Sequence, residues 1–256
     1  MRYFNPQEIK KINRTEIKNS LRCHLGKNLQ DKFAINLIKH YTVDSDMDCG
    51  GSILDLGPAS GEFAKQINNG YTHYDIYGVD IDNYLAEGNQ FMFKEFKTAD
   101  LSFDPIPWPD NTFNIVTAWC VLPHLENPFH TIREVWRVLK PNGIFIFTTP
   151  NLSSRASIEY FIKNSDFGSY RENNNHLVIF TPALIKKTVL KYFKLLDIEY
   201  HVRSKILSRG ARGVLRNVLY HLSEKISKEL FIMLKKRWAY NAAYVLKKKD
   251  LSDNTN

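Results

Sequence analysis

Between residues 52 and 148 the chain alternates short apolar runs with amphipathic stretches, and this alternation restricts the fold more than any other feature. Ser52-Ile53-Leu54-Asp55-Leu56 reads as a buried strand ending at Gly57, with helical character from Glu62 to Asn68. Tyr74 to Val79, closing on Asp80, is a second strand, followed by a helical stretch to about Phe91. A weaker third strand covers Lys94 to Thr98, before Ala99-Asp100, and Phe113 to Trp119 is a fourth. Asn127 as N-cap and Pro128 at the first helical position start a helix whose apolar face is Ile132, Val135, Trp136 and Leu139. Lys140-Pro141-Asn142-Gly143 ends it, and Ile144 to Thr148 is a fifth strand. Parallel neighbours need crossover connections, so the pattern predicts an α/β fold with a doubly wound, mostly parallel, Rossmann-like sheet and helices on both faces.

The flanks differ from this middle. Asn5 to His40 is rich in helix formers with apolar residues every three to five positions, which predicts an N-terminal helical cap over residues 1–48, closed by the polar break Val43 to Gly51. Residues 49–256 form the main domain, with a core over 49–150. A region over 151–238 contains a Thr181-Pro182 helix start, a strand from Leu195 to Val202 and a basic helical insertion, and a last strand lies within 239–248. The formal net charge of +8 belongs to the flanks: residues 1–40 hold nine Lys/Arg against three Asp/Glu, residues 41–200 thirteen against twenty, and residues 201–249 thirteen against two. Cys23, Cys49 and Cys120 are far apart and form no CxxC pair, so neither a metal site nor a disulfide is expected. No apolar leader and no run of about 18 apolar residues is present, which predicts a cytoplasmic protein.

Three features fall at the ends of three consecutive strands. Asp55-Leu56-Gly57-Pro58-Ala59-Ser60-Gly61 joins the first strand to a helix, where glycines let a ligand approach backbone amides. The loop lacks GxGxxG, with Ala59 at the middle position, which counts against a nicotinamide enzyme. Asp80 with Ile81 ends the second strand, where a carboxylate can accept two ribose hydroxyls. Asp100-Leu101 follows the third, where a carboxylate can accept from an amino group beside an apolar cover. Trp119, ending the fourth, reads as core or as a wall of the same cofactor cleft rather than as a specific ligand.

In this order the motifs resemble a class I S-adenosylmethionine-dependent methyltransferase of the small-molecule, type 11 subgroup. The resemblance rests on Ile53 to Gly61, Gly78-Val79-Asp80-Ile81, Ala99-Asp100-Leu101, Trp108 to Val116, Val121 to Pro128 and Arg137 to Gly143. It implies S-adenosyl-L-methionine as cofactor, with the Gly57 to Gly61 loop on its amino-acid portion, Asp80 on the ribose, and Asp100 with Leu101 on the adenine. It further implies seven strands, the last of them, Ala239 to Leu246, antiparallel. Two positions depart from the pattern: Ala59 replaces a glycine, and Asn114 replaces an acid.

Methyl transfer from a sulfonium requires alignment, exclusion of water and, for some acceptors, a base. His124 and His176 are the candidate catalytic residues, each with an alternative structural role in packing or lid orientation. A small-molecule acceptor, a glycan or lipid-linked intermediate among them, is the expected partner. The basic amphipathic stretch Gly210 to Trp238 reads as a solvated helix on its own domain, or as a peripheral contact with the inner face of a membrane. Nucleic acid is disfavoured, because no separate binding domain or aromatics interleaved with the charges accompany it. An RNA methyltransferase using the basic flanks and a cofactor-binding subunit without turnover are the other readings. Oligomeric state is not legible.

Overall fold

A computed structural model describes residues 5–23, 27–42, 50–70, 73–172, 174–201 and 228–250. Helices α1 (Pro6–Cys23) and α2 (Lys27–Thr42) precede β1 (Gly51–Leu56), α3 (Glu62–Gly70), β2 (Tyr74–Asp80), β3 (Glu95–Thr98) and β4 (Phe113–Ala118). Then follow α4 (Pro128–Val138), β5 (Leu139–Pro150), α5 (Arg155–Asn164), α6 (Pro182–Lys187), α7 (Val189–Tyr192), β6 (Phe193–His201), α8 (Lys228–Trp238) and β7 (Asn241–Lys248).

The seven strands form one sheet in the order β3-β2-β1-β4-β5-β7-β6. β1 to β5 are parallel, and β7 runs antiparallel to both β5 and β6. Strand residues alternate between the faces. Leu54, Leu56, Val116, Ala118, Phe145 and Phe147 point into one apolar layer, which takes Ile132 and Val135 of α4 with Ile185 and Val189 of α6 and α7. Ile53, Ile115, Ile144 and Ile146 point into the other, which takes Leu37 and Ile38 of α2 with Phe63 and Ile67 of α3. The central strands are buried on both sides, as a parallel sheet covered by helices must be. The strand order reverses between β1 and β4, and this switch point opens a crevice at their C-terminal ends.

The expected elements recur with four differences. The helix expected after Asp80 is instead a loop with a single 3-10 turn, Asn89–Met92. Asp82 and Asn83 accept from the amides of Asn83 and Leu85, at 3.0 and 3.1 Å, and these local side-chain turns compete with helix formation. Pro141 to Gly143 lies inside β5 as a kink, with Asn142 at φ 64°, so the strand is longer than expected. The helix after Thr181 is two short pieces broken at Thr188 (φ −119°, ψ −72°). The region after β5 also contains α5, which was not expected, although Ser154 caps it by accepting from the Ser157 amide at 3.1 Å. Of the basic stretch Gly210 to Trp238, residues 228–238 form α8, and the remainder lies outside the described residues.

Candidate active site

Gly57 leaves β1 at φ 61° and donates its amide to the Val79 carbonyl at 2.8 Å, tying the loop to the end of β2. A Cβ at Gly57 would stand 2.7 Å from Cγ2 of Val121, so glycine is required by both conformation and space. Ser60 holds the next crossing: its carbonyl accepts from Asn89 Nδ2 at 2.7 Å and the Ala86 amide at 3.1 Å. Ala59 sits at φ 48°, a left-handed conformation that costs a non-glycine residue about 1 kcal/mol.

Asp80 lies beside this loop. Its Oδ1 accepts from the Ile81 amide at 2.8 Å and its Oδ2 faces the Ala59 amide at 3.4 Å. Burial pushes its carboxyl up to about 7, against the pull of these two amides. Asp55 is 1% exposed beneath the loop, where Thr117 Oγ1 donates to its Oδ1 at 2.8 Å. Burial dominates there too, with the charge of Asp80 adding to it, and the Asp55 carboxyl rises to about 8. Asp100 closes the far side, its Oδ1 accepting from the Ser102 amide at 3.0 Å.

These strand ends surround a cavity of about 320 Å³, within the usual size of a small-molecule site. Of the residues singled out from the sequence, Gly57, Ala59, Asp80, Ile81, Asp100, Leu101, Trp119 and His124 line it. Pro58, Ser60 and Gly61 shape the loop behind the lining, and Asp55 supports it from below. His176 stands behind His124: the rings are 4.3 Å apart, and His176 Nδ1 donates to the Ser169 carbonyl. His124 Nδ1 lies 3.2 Å from the Asn175 carbonyl. A carbonyl only accepts, so Nδ1 carries the proton and Nε2 the lone pair. Burial, with His176 adding to it, lowers His124 to about 4.

Other lining residues escaped the sequence reading. Ile9 and Asn13, one turn apart on α1, reach the cavity, as do Tyr84, Cys120, Asn175 and Leu177. Arg14 holds α1 to the loop after β2 through Asp82 at 2.8 Å. The helical spacing of Ile9 and Asn13 was visible, but nothing local said where that helix would lie. Tyr84 was hidden by the mistaken helix after Asp80.

A family model for the methyltransferase domain matches residues 30–192, more than half of the chain, across the cavity-forming loops. The chain belongs to the class I S-adenosylmethionine-dependent methyltransferases. It is 29% identical over 106 residues to the ubiquinone/menaquinone biosynthesis C-methyltransferase of Desulfotalea psychrophila, covering 39% of this chain and 42% of that protein. Over 163 residues it is 27% identical to the glycine/sarcosine/dimethylglycine N-methyltransferase of Actinopolyspora halophila, 60% of this chain and 27% of that one. The chain thus spans less than half the length of these two relatives. An S-adenosylmethionine-dependent methyltransferase from Thermotoga maritima shares the fold at a TM-score of 0.60 and 13% identity, over 96% of this chain and all of that one (100%).

The residues present suit the cofactor of this methyltransferase family. The Asp80 carboxyl stands at the lip of the glycine loop, and the buried indole N–H of Trp119 has no acceptor among the described residues. Asn114, the departure from the usual acid, lies at the opposite end of β4. There its Oδ1 accepts from the Ser52 amide at 3.1 Å and Lys140 Nζ at 2.9 Å, a structural staple far from the crevice.

Proposed function

We propose that the chain catalyses methyl transfer to an oxygen or nitrogen nucleophile of a small molecule, a glycan or lipid-linked intermediate being among the candidates. The observation that carries this reading is the convergence of three successive strand ends, with Asp80 and Asp100, on one cavity that His124 also lines. S-adenosylmethionine supplies an already activated methyl group, so the protein's contribution is alignment and removal of water. Asp80 would hold the ribose hydroxyls, Asp100 with Leu101 the adenine, and the amides of the Gly57 to Gly61 loop the amino-acid end.

His124 is neutral at physiological pH and only weakly basic. Its Nε2 therefore orients the acceptor by accepting a hydrogen bond and takes the proton as the new bond forms, not in advance. His176, whose ring packs on His124 and is itself tethered to Ser169, is a positioning residue in this scheme. Calorimetry with S-adenosylmethionine and its demethylated product tests the cofactor arrangement. Binding to Asp80→Ala should be lost or weakened at least about a hundredfold, as expected for a buried charged hydrogen-bonding group. Undiminished binding would overturn it.

A further inference from the structure

Helix α5 has ten residues and none of them is buried. Even so, it carries Ile158, Phe161 and Ile162 at helical spacing, exposed by 40, 46 and 75%. A helix of this length gains little from its own hydrogen bonds in water, and an apolar stripe on it calls for a covering surface. α5 packs against α8. On α8, Ile232 and Met233 are exposed, by 46 and 55%, and Lys236 and Arg237 follow one turn later on the same exposed side. The acids on these two helices are few: Glu159 is paired with Arg155 at 2.5 Å, and Glu229 lies one turn before Ile232.

Apolar side chains interleaved with cations are the composition of a face that enters the headgroup region of a membrane, with the cations reaching outward to lipid phosphates. Charge selects among occupants. α5 and α8 together carry Arg155, Lys163, Lys228, Lys235, Lys236 and Arg237 against Glu159 and Glu229. A second copy presenting the same face would meet like charge. Residues 202–227, with six Lys/Arg and the single acid Glu224, are themselves basic and suit this face no better. We propose that the exposed faces of α5 and α8 form a docking surface for an anionic lipid bilayer. Among the described residues no helix is long and apolar enough to cross a membrane, so the contact is peripheral. The segment after α5 leads to Leu177, half exposed on the cavity wall, so the docked face and the cavity entrance are linked along the chain.

The test is co-sedimentation of the full chain with vesicles of phosphatidylglycerol and phosphatidylcholine in equal parts, and with phosphatidylcholine alone. The protein should sediment with the anionic vesicles only, and be released by near-molar salt. Lys236→Gln with Arg237→Gln should weaken binding about thirtyfold. Ile162→Ser and Met233→Ser should each weaken it at least about tenfold. Circular dichroism and calorimetry with the demethylated cofactor should match wild type in every variant, which keeps failure of folding or of the cofactor site separate from failure of docking. Wild-type protein that stays in the supernatant overturns the proposal. So do variants that sediment like wild type, or a wild-type dimer by light scattering that Ile162→Ser dissociates.

Discussion

The imidazoles of His124 and His176 pack with centroids 4.3 Å apart and planes tilted by 47°. Protonation of His124 would place a charge in a buried site against a second imidazole, and its pKa falls from 6.5 to about 4. In the unfolded chain His124 binds its proton near pH 6.5, so between that value and about 4 the unfolded state holds more protons. Stability contributed here is complete above pH 6.5 and is lost as pH falls towards 4, by on the order of 3 kcal/mol. His124→Asn keeps an N–H for the Asn175 carbonyl and does not titrate. Chemical denaturation between pH 7.5 and 4 should show a shallower acid decline in this variant than in wild type; equal slopes would reject the assignment.

Asp80 gives binding its own pH dependence. With its carboxyl at about 7 in the free protein, hydroxyl donors from a ribose favour the ionised form and lower that value. Binding then releases a proton below pH 7. Affinity for the demethylated cofactor should rise from pH 5.5 to about 7.5 and level off, by roughly tenfold for each unit of pKa lowering. Calorimetry in two buffers of different ionisation enthalpy reads the released proton directly, and Asp80→Asn should abolish the trend.

Asp55 titrates with the opposite sign to His124. Its carboxyl is protonated in the fold up to about pH 8 but ionises near 3.8 when unfolded. The corresponding stability is present below pH 3.8 and is lost as pH rises through 8. Asp55→Asn retains an oxygen for the Thr117 hydroxyl and has no charge to bury. Its melting temperature should approach that of wild type near pH 3.5 and exceed it by several degrees or more at pH 9, measured without cofactor.

Gly57 and Val121 are sterically coupled. Gly57→Ala adds a Cβ 2.7 Å from Val121 Cγ2 at a φ of 61°, and should destabilise by roughly 2–4 kcal/mol. Val121→Ala removes the clashing methyls but leaves the backbone strain. A double-mutant cycle in urea should therefore return a favourable coupling of about 1 kcal/mol or more; additive costs would show that backbone strain alone explains the glycine.

What could be seen in the sequence and what could not divide along a physical line. Gly57, Asp80 and Asp100 were legible because each follows an apolar strand, and a parallel sheet carries every strand end to the same edge. Ile9, Asn13 and Leu177 were not, because they reach the cavity by tertiary packing of segments distant in sequence. The Asp82-Asn83 pair misled in a third way: its local hydrogen bonds overrode the helical propensity around it. Asp55 carried the right signal for its neighbourhood, but its burial under Thr117 depends on the β1 to β4 pairing, Asp55 against Thr117.

The insertion of β7 between β5 and β6 governs how the molecule is made. Ile144 pairs with Lys247 and Phe193 with Lys248, so β7 joins strands whose residues lie 103 and 55 positions before it. During synthesis the edges of β5 and β6 that face each other therefore stay open until β7 has been made. A chain stopped before Asn241 would leave open the two strand edges that β7 fills, and such edges are templates for pairing with another chain.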